Sequence, residues 1–492
     1  MAPWSLAQVA QHNSKTSCWV IIKNNVYDVT DFLLEHPGGA DVILKYAGRD
    51  ATAVYEPIHS PDALDNNLSP SKHLGALEAV AVNSLEEKQP TTGQTADELR
   101  VDKERKRMPL LDRVLSLADM EMVARRILSH KALAYYSSAA DDEISESRNA
   151  RAFTRFFFKA RVMRPVSKCD PSTAILGFKS SIPVFVSGAA LAKLGHPEGE
   201  ANITRGAFKE GIIQMVSSNA SLSPKMIMEA ADQSQVLFFQ LYKHRDDVTA
   251  EKRVRDIEQL GYKAIFLTVD AIAPGNRERD IQSPWVLDEQ ENGSMYYQPN
   301  SADKPQGKVN IFGTAGALIA NDDRDMTWER TIPWLRRISC LPIVVKGIQC
   351  VEDAILAGEA GVDGILISNH GGRQLEYALP PMEILYLLRQ QRPDVFNKLE
   401  GWYDECHIVI CLIPLLGTDV VKAVCLGAKA VGLGRPFLYA QSAYGEAGVS
   451  KLIEILAREI TTCMRLVGAS TINDLRPELI HRIDWQPMCT KL

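Results

Sequence analysis

Three observations predict an α/β protein built as a (β/α)8 TIM barrel preceded by a small α+β domain. Eight apolar runs, too continuous for half-exposed strands, recur over about 260 residues. Helix-like segments separate most of them. A polar, charged stretch at residues 83–108, almost without aromatics, sets roughly 80 residues apart from almost 400 that follow.

The runs are Ile182–Ser187, Ile212–Ser217, Val236–Leu241, Ala264–Val269, Pro342–Lys346, Gly364–Ser368, His407–Leu412 and Ala430–Leu433. Helical periodicity falls between them, for example at Pro197–Glu210, Asp247–Leu260 and Val351–Ala360. Eight strands at this spacing favour a closed barrel over an open sheet. No Gly-x-Gly-x-x-Gly follows the first run, which argues against a dinucleotide fold. The connection at 283–326 is rich in Asn, Gln, Asp, Gly and Pro and weakly periodic, so it is expected to be a lid or disordered. Residues 83–108 read as a mobile hinge.

Before the hinge, Val26-Tyr-Asp-Val-Thr reads as a strand running into Asp31-Phe-Leu-Leu-Glu-His-Pro-Gly-Gly, a short helix closed by a tight turn. His36 sits at the rim of that turn, and His59 lies between Pro57 and Pro61. Two neutral imidazoles across an apolar slot can fill both axial positions of a haem iron. Spacing alone favours one turn histidine and one surface histidine.

Composition narrows the function classes. With 46% hydrophobic and 24% charged residues there is material for a large core. A net charge of −6 gives no reason to expect nucleic acid or an anionic membrane as partner. Nine scattered cysteines without a Cys-x-x-Cys pair speak against a disulfide framework or zinc site and for a reducing compartment. No apolar run reaches the roughly 18 residues of a membrane span. Met1-Ala-Pro-Trp-Ser lacks a secretory core and an Arg-rich leader, so a cytoplasmic location is expected, with the mitochondrial intermembrane space as the alternative.

The most informative stretch is Gly364-Ile-Leu-Ile-Ser-Asn-His-Gly-Gly-Arg-Gln374. An apolar strand stops at a histidine that can accept a proton near neutral pH. Two glycines later, Arg373 offers a planar fork for a carboxylate. This pair suits removal of hydrogen from a carbon beside a carboxylate. Other strand ends are polar too: Gln240-Leu-Tyr242, Thr268-Val-Asp270 and Lys346-Gly347. Each alone is readily a satisfied polar group closing a strand. Together they mark one rim, because converging buried ionisable groups are costly without a task.

Ser368 to Gln374 resembles the active-site motif of FMN-dependent 2-hydroxy acid dehydrogenases and oxidases. Trp19-Val-Ile-Ile, His36-Pro-Gly-Gly, Tyr46-Ala-Gly-Arg-Asp-Ala-Thr and Leu74-Gly-Ala-Leu run in the order found in cytochrome b5-like domains. Their union resembles the flavocytochrome b2 family. That resemblance implies a haem domain at 3–80, the linker at 83–108 and an FMN-dependent TIM barrel at 109–475. It implies haem b held by His36 and His59, and FMN as second cofactor. His370 would be the base at the substrate Cα and Asp270 the partner that stabilises its protonated form. Arg373 and Tyr135 would hold the substrate carboxylate with Arg277 nearby, and Tyr242 the hydroxyl oxygen. Lys346 would lie by the flavin N1/O2 edge. Ser217, Gln240 and Thr268 would contact the flavin ring, Ser187 and Ser368 would close strands at the same cofactor site, and Gly434-Arg435 would form the phosphate turn.

The chain departs from the family at Gly401–Leu416, where members carry Asp-Gly-Gly-x-Arg-x-Gly; no Gly-Gly and no Arg stand there. One lost charge-assisted phosphate contact costs about 1.5–3 kcal/mol. Between flanks that match, Leu399-Glu400 and Gly417-Thr-Asp-Val-Val-Lys, the segment reads either as translated intron or as a variant with weakened FMN binding. Ala189 stands where relatives often have Thr, and Asn219 where they have an apolar pocket residue. The resemblance implies oxidation of a small L-2-hydroxy acid such as L-lactate, electrons passing from FMN to haem and on to a cytochrome c-like acceptor, in a homotetramer. The alternatives are an oxidase that reduces O2, or a haem electron carrier attached to a silent, FMN-deficient barrel.

Overall fold

The computed structural model describes residues 3–36, 40–59, 63–78, 81–82, 94–293, 313–396, 407–412 and 416–484. Eight parallel strands close into a barrel in chain order: Val184–Val186, Gln214–Ser217, Leu237–Leu241, Ile265–Thr268, Ile343–Ile348, Gly364–Ile367, His407–Leu412 and Ala430–Leu433. Each expected run contributes its strand, trimmed by one or two residues in most cases. The eighth strand pairs with the first through Val431↔Val184, Gly432↔Phe185 and Leu433↔Val186.

Strict alternation along the strands explains why the runs are apolar throughout. Phe185, Met215, Phe238, Phe266, Val344 and Leu366 point inward and fill the barrel. Their neighbours Val184, Val216, Phe239, Leu267, Val345 and Ile365 point outward under the helices. Phe238 and Phe266 stack with ring centroids 5.5 Å apart. A Cβ on Gly432 would stand 2.6 Å from the Phe185 ring, so glycine in the eighth strand is what lets that ring into the barrel. A hairpin, Thr173–Ile175 with Phe178–Ser180, plugs the same interior through Ile175 and Phe178.

The segment that departs from the family still completes the barrel. His407–Leu412 pairs in unbroken register with Gly364–Ile367 on one side and Ala430–Leu433 on the other. The remaining calls on this segment, at 401–406 and 413–415, lie outside the described residues.

Two expectations of irregular structure are corrected. Within 83–108, residues 94–108 contain a helix, Ala96–Arg105, opened by a Thr95/Glu98 capping box. Asp97 is buried and accepts from the His130 amide (2.8 Å). Arg100 bonds Asp97 and donates to the carbonyls of Arg126 and Leu128, the orphan acceptors at the end of helix Leu117–Ile127. A polar sequence became ordered here through ion pairs and capping, which apolar periodicity does not register. The first half of the stretch, 83–93, lies outside the described residues.

Within 283–326, a helix at Glu278–Asn292 runs into the segment and a short helix follows at Gly313–Leu318. The first is mostly polar and is held by Arg279, which binds Glu143 (2.7 Å) and the Ser137 hydroxyl (2.8 Å). Residues 294–312 lie outside the described residues.

The N-terminal module pairs strands Asn13–Ser14, Ser17–Ile22, Asn25–Asp28 and His73–Ala76 in one antiparallel sheet. A 3-10 turn, Asp31–Leu34, leads to His36 as expected, while Pro37–Gly39 lie outside the described residues. Among the described residues no helix is long and apolar enough to cross a membrane.

Candidate active site and haem slot

The fourth, fifth and sixth strands deliver an ionised cluster to the C-terminal rim. Asp270 lies two residues past the fourth strand, its side chain wholly buried. It accepts from His370 Nδ1 (2.9 Å) and faces Lys346 Nζ (3.3 Å). Gly347 allows this approach: its φ is +116°, and a Cβ would stand 2.5 Å from the Asp270 Cβ. His370 itself is left-handed (φ 57°), and its amide donates to the Ser368 hydroxyl (3.0 Å). That backbone costs about 1–2 kcal/mol for a residue with a side chain, and the geometry turns the imidazole out of the strand into the cleft.

Burial pushes the His370 imidazole down to about 4, and the Lys346 charge adds to the effect while Asp270 opposes it. Burial alone would raise Asp270, but Lys346 and His370 outweigh it and hold the carboxyl at about 2. An ionised Asp270 assigns the Nδ1 proton to the bond between them, which leaves the Nε2 lone pair facing the cleft. Tyr242 OH lies 3.3 Å from that Nε2. Burial drives the Tyr242 phenol up, so it stays protonated.

Opposite stands a cationic wall. Arg373 donates to the carbonyls of Tyr136 (2.7 Å) and Tyr135 (2.8 Å), at the end of helix His130–Ser137, with its guanidinium over the Tyr135 ring. Arg277 donates to the Arg373 carbonyl (3.1 Å) and to Gln374 Oε1 (3.2 Å). Burial and the neighbouring Arg277 push Arg373 down to about 9, and burial lowers Arg277 as well. Two guanidiniums sharing one buried wall are costly until an anion sits between them and the cleft.

The cleft is partly open to solvent. His370, Tyr242, Tyr135, Arg373, Arg277, Lys346, Ser187, Ser217, Gln240, Gly434 and Arg435 all line it. Asp270, Thr268 and Ser368 stand behind. Thr268 reaches the cleft only through Gln240, whose Nε2 donates to its hydroxyl (3.0 Å), and Ser368 acts on the His370 amide. Gln240 Oε1 is buried without a partner. A Cβ on Gly188 would stand 2.2 Å from that oxygen, so the chain keeps this bed bare of side chains. An orphan acceptor beside a glycine floor fits the N–H edge of a planar heteroaromatic ring. Gly434 caps the helix that begins at Arg435; Pro436 has no amide and the Phe437 and Leu438 amides bond the Gly434 carbonyl, so the anion contact here falls mainly to the Arg435 guanidinium. Arg435 is placed beside it by Glu146 (3.2 Å) and the Gly371 carbonyl (2.8 Å). These residues fit a flavin mononucleotide.

Sequence reasoning missed Tyr136, Gln374, Leu318 and Ile319, which also line the cleft. Leu318 and Ile319 pack on Tyr242 and Ala271. The available signal was Ala317-Leu-Ile-Ala320, an apolar tetrapeptide inside an otherwise polar connection. Asn219 and Ala189 line the cleft as well.

In the N-terminal module, the His36 and His59 rings face each other with centroids 6.1 Å apart and planes 30° from parallel. Two nitrogen–metal bonds of about 2 Å plus the half-rings fill such a gap. His59 Nδ1 lies 3.1 Å from the Tyr55 carbonyl, and the ring stacks on Tyr55. That bond takes the Nδ1 proton and leaves Nε2 as a ligand. Burial lowers the His59 pKa to about 4, keeping it neutral. Leu33, Ala47, Ala51 and Leu68 form the apolar surroundings. Two facing imidazoles in apolar surroundings suit an iron whose remaining ligands come from a macrocycle. The slot fits a haem.

Barrel, rim and slot define an oxidoreductase that joins a flavin site to a haem carrier. Residues 124–482 match the FMN-dependent dehydrogenase family and residues 5–82 the cytochrome b5-like haem/steroid binding domain, and the chain belongs to the first with the second in front of it. It is an enzyme whose cofactors are FMN and haem b. It is 43% identical over 474 residues to L-lactate dehydrogenase (cytochrome) of Wickerhamomyces anomalus, covering 96% of this chain and 78% of that protein. The protein of the same name from Saccharomyces cerevisiae is 41% identical over 487 residues, covering 97% and 79%. Spinacia oleracea glycolate oxidase is 35% identical over 76% of this chain and 96% of its own. Among solved structures, the flavin-binding domain of baker's yeast flavocytochrome b2 superposes with a TM-score of 0.69 at 38% identity, covering 81% of this chain and 95% of that one.

Proposed function

We propose that the chain oxidises L-lactate, or a 2-hydroxy acid of similar size, to the 2-oxo acid and delivers the electrons through its haem to a cytochrome c-like acceptor. The observation that carries this reading is a neutral His370, backed by Asp270, facing the same cleft as the buried Arg277–Arg373 pair. A 2-hydroxy carboxylate held by the two arginines and Tyr135 presents its Cα–H to His370 Nε2 and its hydroxyl oxygen to Tyr242. His370 takes the hydrogen of Cα as a proton, the electron pair it leaves is that taken up by bound FMN, the hydroxyl proton passes to water in the open cleft, and Asp270 stabilises the imidazolium that results. Lys346 and Gln240 orient the flavin edge, Ser187, Ser217, Thr268 and Ser368 support that bed, and Gly434 with Arg435 take the phosphate. Bound there, FMN accepts two electrons and releases them singly. His36 and His59 would hold the haem between them, and a haem held by two imidazoles would supply electron transfer and bind no substrate. The modules in this reading are 3–80, 83–108 and 109–475, assembled as a homotetramer.

Steady-state assays with L-lactate test it. Reduction of a cytochrome c-like acceptor well in excess of peroxide yield is expected; peroxide as the main product would instead make the protein an oxidase. Arg373→Lys should lower kcat/KM by about 10- to 150-fold, mostly through KM. A lysine keeps the charge but cannot bond both the Tyr135 and Tyr136 carbonyls while facing the substrate.

A further inference from the structure

The wall above Tyr242 is made by a returning segment, Gly313 to Asp323, whose attachment is uneven. At one end Asp280 accepts from the Thr314 amide (2.9 Å) and hydroxyl (3.0 Å). At the other, Asp323 pairs with the buried Lys243 (2.8 Å), which also binds Asp247. Backbone bonds seat the segment on the end of the third strand: Asp323 N to Lys243 O (2.7 Å), Arg245 N to Asn321 O (2.9 Å), with His244 opposite Asp322. Asp322 lies between these staples, and its Oδ2 is buried with no hydrogen-bond partner.

We propose that Asp322 is a proton-operated positioning residue, whose protonated carboxyl favours the seated segment that holds Leu318 and Ile319 against Tyr242. An ionised carboxylate is disfavoured with its Oδ2 buried and unbonded, and is better solvated with the segment lifted, its proton passing to water. The groups facing it are Arg253 from helix Asp247–Leu260, Arg324 from its own segment, and Tyr242, His244 and Arg245 from the strand end. The Lys243 cation is committed to Asp323 and Asp247. Burial raises the carboxyl to about 7 against the opposing pull of Arg253 and Arg324. The seated state thus binds a proton that the lifted state releases near the ordinary carboxylate value. Seating is strongest in acid, weakens as pH rises towards about 7, and is independent of pH beyond that.

Amide hydrogen exchange of residues 313–325 in the holoenzyme, corrected for intrinsic rates, reads the seating directly. Protection should fall by up to about tenfold per pH unit between about pH 5 and about pH 7, then level off. KM for L-lactate should rise over the same interval. Asp322→Asn should hold both flat. Arg373, pushed down to about 9, titrates above this window and does so in both proteins. Wild-type protection that does not vary with pH overturns the assignment, as does a pH dependence that survives in Asp322→Asn. A flat KM beside falling protection overturns the positioning role. The KM arm rests on the function proposed above; if L-lactate is not turned over at all, that reading fails while the exchange series still tests Asp322.

Discussion

His370→Gln is expected to lower kcat with L-lactate by about 10²- to 10⁴-fold, the contribution of a positioned proton acceptor. Glutamine can still bond Asp270, so the buried carboxylate keeps a partner, but no nitrogen lone pair then faces the cleft. The flavin bed (Gln240, Lys346, Gly434, Arg435) and the haem slot (His36, His59) involve other side chains, so both cofactors should remain at wild-type stoichiometry. Glutamine bears the left-handed backbone at this position less readily than histidine does. Melting temperature is therefore read alongside turnover, and a modest fall is expected. Flavin reduction by substrate at the wild-type rate in this variant would remove His370 from the chemistry.

Asp270→Asn should damage stability as well as catalysis. The Asp270 side chain is wholly buried and serves two partners, Lys346, itself only 3% exposed, and His370. Removing the carboxylate leaves a buried ammonium without its counter-ion, a change that typically costs about 3–5 kcal/mol. It also removes the acceptor that fixes the imidazole tautomer and stabilises its protonated form. Thermal unfolding should drop by several degrees, and kcat should fall by about 10²-fold or more. Adding Lys346→Met should recover much of the melting temperature, because the stranded charge is gone, without restoring turnover. Recovery of neither, or a single variant as stable as wild type, would show that the pair is not the buried electrostatic unit described here.

The barrel was legible because its strands are buried on both faces. Runs such as Leu237–Leu241 carry no polar alternation to confuse with a surface element, and most polar residues stand near the end of a run, Gln214 and His407 being exceptions. The rim chemistry was legible for the same reason: Gln240, Asp270, Lys346 and His370 interrupt apolar sequence at strand ends. What stayed hidden is held by polar interactions at long sequence separation. Helix Ala96–Arg105 is anchored by Asp97 and Arg100 to residues around 126–130, and the helix at Glu278–Asn292 by Arg279 to Glu143. Neither leaves an apolar period in its own sequence. The wall residues Leu318 and Ile319 were lost inside a connection judged by its average polarity. Division of labour within the rim was also invisible, since Thr268 and Ser368 share the strand-end pattern yet stand behind Gln240 and His370. At Gly401–Leu416 a departure from the family motif coexists with a strand in full register, because backbone pairing tolerates side-chain change that a phosphate site does not.

Anaerobic rapid mixing of the purified holoenzyme with L-lactate, followed at flavin and haem wavelengths, tests the central claim most directly. The flavin absorbance should bleach first and the reduced haem bands should follow in the same molecules, with the first phase lost in His370→Gln. Haem that stays oxidised after the flavin has been reduced, or protein that carries haem but takes up no FMN when FMN is supplied in excess, would contradict it.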